Sequence, residues 1–242
     1  MLKENNLRLA LEISGRQGYI LEAFLEQGLY PELVHMDGEG TLGMTREEAL
    51  GYTVDVMRGW HELIPGIKFN YLFNFPNHGW KGDHSLTSPG DMGYGDAYDF
   101  LVKLEKAARG AGLPLNGITL DNPYNYNYHG KDLEGKAVSG DLLDRAIDAE
   151  KEVKALGLEF HLIFNTESSP DELYYRETLS YIDEYEKKGG SPDVYILESW
   201  YEKTPSKHLP ENEPHTLTYL AAEVLRHVKE GKPIELSGLD LK

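Results

Sequence analysis

The sequence predicts an α/β protein built from repeated βα units on a parallel sheet, and three observations carry that reading. First, six short apolar runs, at 9–13, 33–37, 69–74, 118–121, 160–165 and 194–198, alternate with longer stretches whose apolar residues recur at helical spacing. Second, the helical stretches carry start and stop signals in the right places. Third, no glycine-rich phosphate fingerprint of the GxGxxG or GxxxxGK[ST] kind follows any run, which argues against a nucleotide-binding doubly wound sheet. The architecture expected is a (β/α) barrel of TIM type, with an open doubly wound sheet of six strands as the competing one. Eight strands close such a barrel. Six clear βα units therefore predict an irregular or incomplete one, unless residues 232–236 or the intervals 74–121 and 121–165 supply more strands.

The helices read as follows. Thr45-Arg-Glu-Glu48 is a capping box ahead of Ala49, Leu50, Val56, Met57, Trp60 and Leu63. Asp96 opens the stretch of Phe100, Leu101, Leu104 and Ala108, and Ser139 that of Leu142, Leu143, Ile147 and Val153. Ser169-Pro170-Asp171-Glu172 places proline where the first turn has no partner to lose, ahead of Leu173, Leu179, Ile182 and Tyr185. Gly110, Gly157 and Gly189-Gly190 fall where αβ turns belong, and Gly231-Lys-Pro233 stops the last helix, which carries Leu217, Leu220, Val224 and Val228.

The chain has 242 residues, and no linker interrupts it, so one (β/α)-barrel domain over 1–242 is expected. A hydrophobic fraction of 40% supplies a full core. No apolar run approaches the ~18–20 residues that span a bilayer, which excludes a membrane protein of that type. The first six residues lack the apolar stretch of a signal peptide, so the chain as it stands reads as cytoplasmic, or as secreted if a signal has been removed. A net charge of −17 repels phosphate backbones and makes nucleic acid an improbable partner. With no cysteine, disulfides, thiolate nucleophiles, cysteine-bound zinc and iron–sulfur clusters are excluded. No cofactor and no metal are required by the reading below.

Aligning the six runs by their alternation sets one polar residue at the C-terminal end of each: Glu12, Asp37, Asn74, Asp121, Asn165 and Glu198. Parallel strands covered by helices are apolar throughout. A polar residue ending every one of them costs burial energy unless those ends line a solvated cleft, and in a βα barrel that end is where chemistry occurs. Any one of these residues alone is explained as a turn former or cap. Glutamate is a poor turn former, so Glu12 and Glu198 resist that explanation best. The loops that follow are aromatic: Phe75 to His84 with Trp80, Asn122 to His129 with Tyr124 and Tyr126, and Ser199-Trp200-Tyr201. Ring faces match the C–H faces of sugars, and amides and carboxylates match their hydroxyls, so a carbohydrate is the substrate class expected.

Glycosidic cleavage needs two carboxyl groups flanking the bond, one protonated and one ionised. Asp121 and Glu198 are the expected catalytic pair, with Glu198 the acid because Trp200 and Tyr201 would desolvate it. Glu12, Asp37, Asn74 and Asn165 are expected to bind hydroxyls, and Trp80, Tyr124, Tyr126, Trp200 and Tyr201 to stack on the sugar. Two other readings compete. Glu12, His35, Asp37, Asp121, Glu198, His78 and His84 are of the types that form an oxygen-rich metal site in sugar isomerases or phosphodiesterases, although no HExxH pair occurs. A carbohydrate-binding barrel without catalysis is the other. Ser199 is no serine nucleophile, since no GxSxG elbow surrounds it.

Three segments of the second half carry a family resemblance. Leu115-Asn-Gly-Ile-Thr-Leu-Asp121-Asn122, with Asn116 where an aspartate is usual, resembles a strand of the endo-α-1,4-polygalactosaminidase-like glycoside hydrolases. Phe164-Asn165 and Asp193-Val-Tyr-Ile-Leu-Glu198-Ser-Trp-Tyr201 are similar to later strands of that group. Residues 192–218, with Leu209-Pro-Glu211 and Thr216-Leu-Thr218, also resemble TIM-barrel proteins of glycoside-hydrolase type. The resemblance implies a barrel, a hydrolase acting on polysaccharide, and catalysis by an aspartate and a glutamate at positions 121 and 198.

Overall fold

The computed structural model describes residues 7–14, 18–83, 96–113, 115–127, 142–168, 170–199 and 205–234. Six strands and six helices alternate: β1 (Ala10–Ser14), α1 (Gly18–Glu26), β2 (Leu33–Asp37), α2 (Arg46–Leu63), β3 (Lys68–Asn74), α3 (Ala97–Gly110), β4 (Leu115–Asp121), α4 (Leu142–Ala155), β5 (Glu159–Phe164), α5 (Asp171–Lys187), β6 (Val194–Leu197) and α6 (Leu217–Glu230). The strands form one sheet in the order β1-β2-β3-β4-β5-β6. The pairs β1–β2, β2–β3 and β5–β6 are parallel. A doubly wound sheet reverses its order at a switch point. Here every new strand is added on the same side, which is the winding of a TIM-type (β/α) fold, with six units. Residues 232–234 form no strand.

Five expected helices are present and a sixth, α1, was not anticipated. Its sequence, Gly-Tyr-Ile-Leu-Glu-Ala-Phe-Leu-Glu, is apolar nearly all round and opens without a cap signal. The capping box of α2 forms as expected: Thr45 Oγ1 accepts the Glu48 N–H and Glu48 accepts the Thr45 N–H at 2.8 Å. The Thr45 N–H and, after it, the Thr45 hydroxyl, which also donates to Glu48 at 2.8 Å, hold the Glu48 carboxyl below its usual range. Asp96 caps α3, accepting the Asp99 N–H. Ser139 and Ser169 lie outside the described residues, and Pro170 takes the N-cap position of α5.

The chain falls into two compact units, and the division runs through β4, α4 and β5, where no linker exists. Described residues of the first are 7–113, 115–120 and 151–160, gaps apart; those of the second are 121–127, 142–150 and 161–234. In the first, Val34, Phe69, Tyr71 and Phe73 are buried together with Met57, Trp60, Phe100 and Leu104 of α2 and α3. Tyr71 and Phe100 lie ring to ring at 5.0 Å. Burying each such side chain contributes roughly 1.5–3 kcal/mol. Gly117 admits Glu159 at close range, since a Cβ there would stand 2.1 Å from the Glu159 carbonyl oxygen. In the second, Tyr174, Tyr181 and Tyr185 form a buried stripe along α5 at near-helical spacing, with Phe164 of β5 against the rings of Tyr181 and Tyr185.

Candidate active site

The second unit gathers three of the six expected strand-end residues. Asp121 is the last residue of β4, and Asn165 and Glu198 directly follow β5 and β6. The Asn165 Nδ2 donates to Asp121 Oδ1 at 3.2 Å and to Glu198 Oε2 at 3.3 Å. Both carboxylates are part-buried.

The surroundings hold this group in place. The Asn165 carbonyl accepts the Tyr124 N–H at 2.9 Å, tying the 3-10 turn at Tyr124–Tyr126 to the end of β5. The Tyr124 hydroxyl donates to Glu184 and the Tyr126 hydroxyl to Glu167, each at 3.0 Å. Asn125 adds a donation to Glu167 and accepts the Glu167 N–H at 3.1 Å. Next to Asp121, the Asn122 amide donates to Asn127 at 2.7 Å and to the Tyr181 hydroxyl at 3.3 Å. Tyr174 donates its hydroxyl to the Glu198 carbonyl. Burial, then the hydrogen bond to Glu167, then the charges of Glu167 and Asp121, push the Tyr126 phenol up to about 12. Burial and, after it, the Glu198 charge raise that of Tyr174 as well.

Tyr174 and Glu167 were missed by the sequence reading. Glu167 stands two residues past Asn165, and that position beyond a strand end was a usable signal. Tyr174 offered none, because its hydroxyl meets Glu198 across 24 residues of chain.

The remaining expected residues divide otherwise. Asp37 and Asn74 end β2 and β3 in the first unit. Glu12 departs from the register: it pairs with His35, while Ser14, two residues further, is level with Asp37. The strand is longer at its C-terminal end than the apolar run implied, so Glu12 is a mid-strand residue on an exposed position. Trp80 is corrected too. It is 3% exposed, with Phe75 and Tyr98 each 5.4 Å from its ring, and it packs the loop before α3 where a stacking platform was expected. Trp200, Tyr201, His84 and His129 lie outside the described residues.

Two histidines of the metal reading, His35 and His78, are engaged structurally. His35 Nδ1 is 2.6 Å from Thr119 Oγ1, in a network where Asn70 also meets Thr119 and Asn116 donates to Asn70 and Glu159. His78 Nδ1 lies 2.7 Å from the Asn74 carbonyl and closes the turn after β3. Among the described residues no group of three or more His, Cys, Asp or Glu is placed to hold a metal ion. No described helix is long and apolar enough to cross a membrane.

Fold and site thus define an α/β protein of TIM-type winding that brings an aspartate, an asparagine and a glutamate together at the ends of three neighbouring strands. No protein family and no curated protein matches the sequence. Solved structures similar to it include 2,3-dimethylmalate lyase, a member of the PEP mutase/isocitrate lyase superfamily, at 13% identity and a TM-score of 0.42, over 81% of this chain and 59% of that one. The arginine decarboxylase of Paramecium bursaria Chlorella virus is similar at 12% and 0.42, over 81% and 52%. Plant β-glucan endohydrolases are similar at 12% and 0.41, over 94% and 86%. The chain spans under two thirds of the length of the first two.

Proposed function

We propose that the protein is an O-glycosyl hydrolase acting on an oligo- or polysaccharide through Asp121 and Glu198. The observation that carries this reading is that one amide, that of Asn165, reaches both carboxylates at 3.2 and 3.3 Å. Two carboxyl groups brought to one place are what cleavage of a glycosidic bond asks for: one delivers a proton to the leaving oxygen while the other, ionised, attacks the anomeric carbon or activates water. The part-buried Tyr124 and Tyr126 are the aromatic residues beside the pair. The resemblance of residues 115–122 and 193–201 to polygalactosaminidase-like hydrolases supports the same two residues. No cofactor is needed for this chemistry.

Carboxyls ~5–5.5 Å apart give a product that keeps its anomeric configuration, and ~6.5–9.5 Å one that inverts it. The test is release of reducing ends from a panel of polysaccharides, galactosaminoglycan included, with the first anomer read by NMR. Asp121→Asn and Glu198→Gln should each lower kcat at least ~100-fold with the fold intact by circular dichroism. Full activity in either variant sinks the assignment. Sugar binding without hydrolysis by the unaltered protein would make it a binding barrel.

A further inference from the structure

The side chain of Asn165 carries two protons directed about 120° apart, and Asp121 and Glu198 accept them. The residue is 1% exposed. Its main chain is held by the Tyr124 N–H, so neither end of the residue is free to wander. The opposite rotamer of the amide is disfavoured by charge, because it would aim the Oδ1 lone pairs at two carboxylates and withdraw both protons. In the observed orientation Oδ1 is buried and has no hydrogen-bond partner among the described residues. An amide that leaves its carbonyl unmet is held there by what its nitrogen gains, and here that gain is two bonds to carboxyl oxygens.

We propose that Asn165 is a positioning residue, a single amide bridge that fixes the spacing and orientation of Asp121 and Glu198, in place of the sugar-binding role its strand-end position suggests. This inference rests on the reading of those two carboxyls as the catalytic pair. Two carboxylates without a donor between them repel and swing apart. With the bridge they are held to a preset spacing before any substrate arrives, which is what a two-carboxyl mechanism requires of its first contacts. Tyr126 and Tyr181 sense the charge of Asp121, Tyr174 senses that of Glu198, and Glu167 holds the Tyr126 hydroxyl.

The experiment follows the Asn165 side-chain amide by 1H–15N NMR in the complete chain, from about pH 3 to 8, where carboxyls titrate. The expected result is that its two proton signals move with two inflections, one of which vanishes in Asp121→Asn and the other in Glu198→Gln. A flat response, or a single inflection, overturns the bridge. In Asn165→Ala the 13C carboxyl titrations of both Asp121 and Glu198 should rise by about half a pH unit or more, because the charged forms lose their donor. Asn165→Asp, which keeps the shape and removes the donors, should raise at least one of them further. Titrations unmoved in both variants, or moved for one carboxyl only in Asn165→Ala, also overturn it. These readouts are separate from hydrolysis. Activity surviving Asp121→Asn defeats the catalytic reading and leaves the bridge standing, whereas absent inflections defeat the bridge whatever the protein cleaves.

Discussion

At Gly190 a missing side chain makes room for a tyrosine. A Cβ there would lie 2.1 Å from the ring of Tyr185. The ring has nowhere to retreat, being fully buried with its hydroxyl donating to Glu150 at 2.6 Å. Gly190→Ala should therefore destabilise the protein by about 1–3 kcal/mol, the usual cost of overpacking, as read by urea denaturation. An unchanged midpoint would show that the ring gives way freely. The same scale explains Trp80. Its aromaticity was legible, but which way an indole turns depends on Phe75 and Tyr98, and the latter lies further along the chain than any local pattern reaches.

Among the elements, α6 makes the clearest pH-dependent contact. His227 lies with Nδ1 2.6 Å from the Lys232 carbonyl and Nε2 2.9 Å from Glu186. Both partners are acceptors, so both ring nitrogens are satisfied as donors only in the charged form. Burial opposes that charge, but the bonds to Lys232 and Glu186, with the charges of Glu186 and Asp183, outweigh it and hold His227 above the ordinary imidazole value. A group whose pKa is raised by folding stabilises most below its unfolded value, ~6.5, and this contribution is lost as pH rises through the folded value. Thermal denaturation of His227→Ala should thus show the larger deficit near pH 6 and a smaller one near pH 8–9. A deficit independent of pH would assign the residue a packing role alone.

The element boundaries teach a related lesson. Strands β2 to β6 were visible because covered parallel strands are nearly continuous apolar runs, and α2 because its box is written in four adjacent residues. Helix α1 was not visible, since a segment apolar on most sides shows no stripe. Glu12 was placed one turn of alternation too far along β1, because a run of apolar residues reports burial and not where pairing stops.

For the whole molecule, charge is the dominant general property. At −17 the folded chain repels itself, and the described ion pairs are mainly exposed ones that contribute little each. Raising ionic strength from ~0.01 to ~0.15 M shortens the screening length from about 30 to 8 Å, so the melting temperature should increase with sodium chloride. A fall over that range would mean that specific ion pairs outweigh the net repulsion.

Composition, period and turn residues alone determined the α/β class, the six strands, five of the six helices and the polar residues that end most strands, because each of these is set by neighbours a few positions away. The bridge through Asn165, the support of Glu198 by Tyr174 and the burial of Trp80 came from the fold. Positions 121, 165 and 198 are made adjacent only when β4, β5 and β6 lie side by side, and a hydrogen bond between residues so far apart in the chain leaves no periodic trace in the sequence.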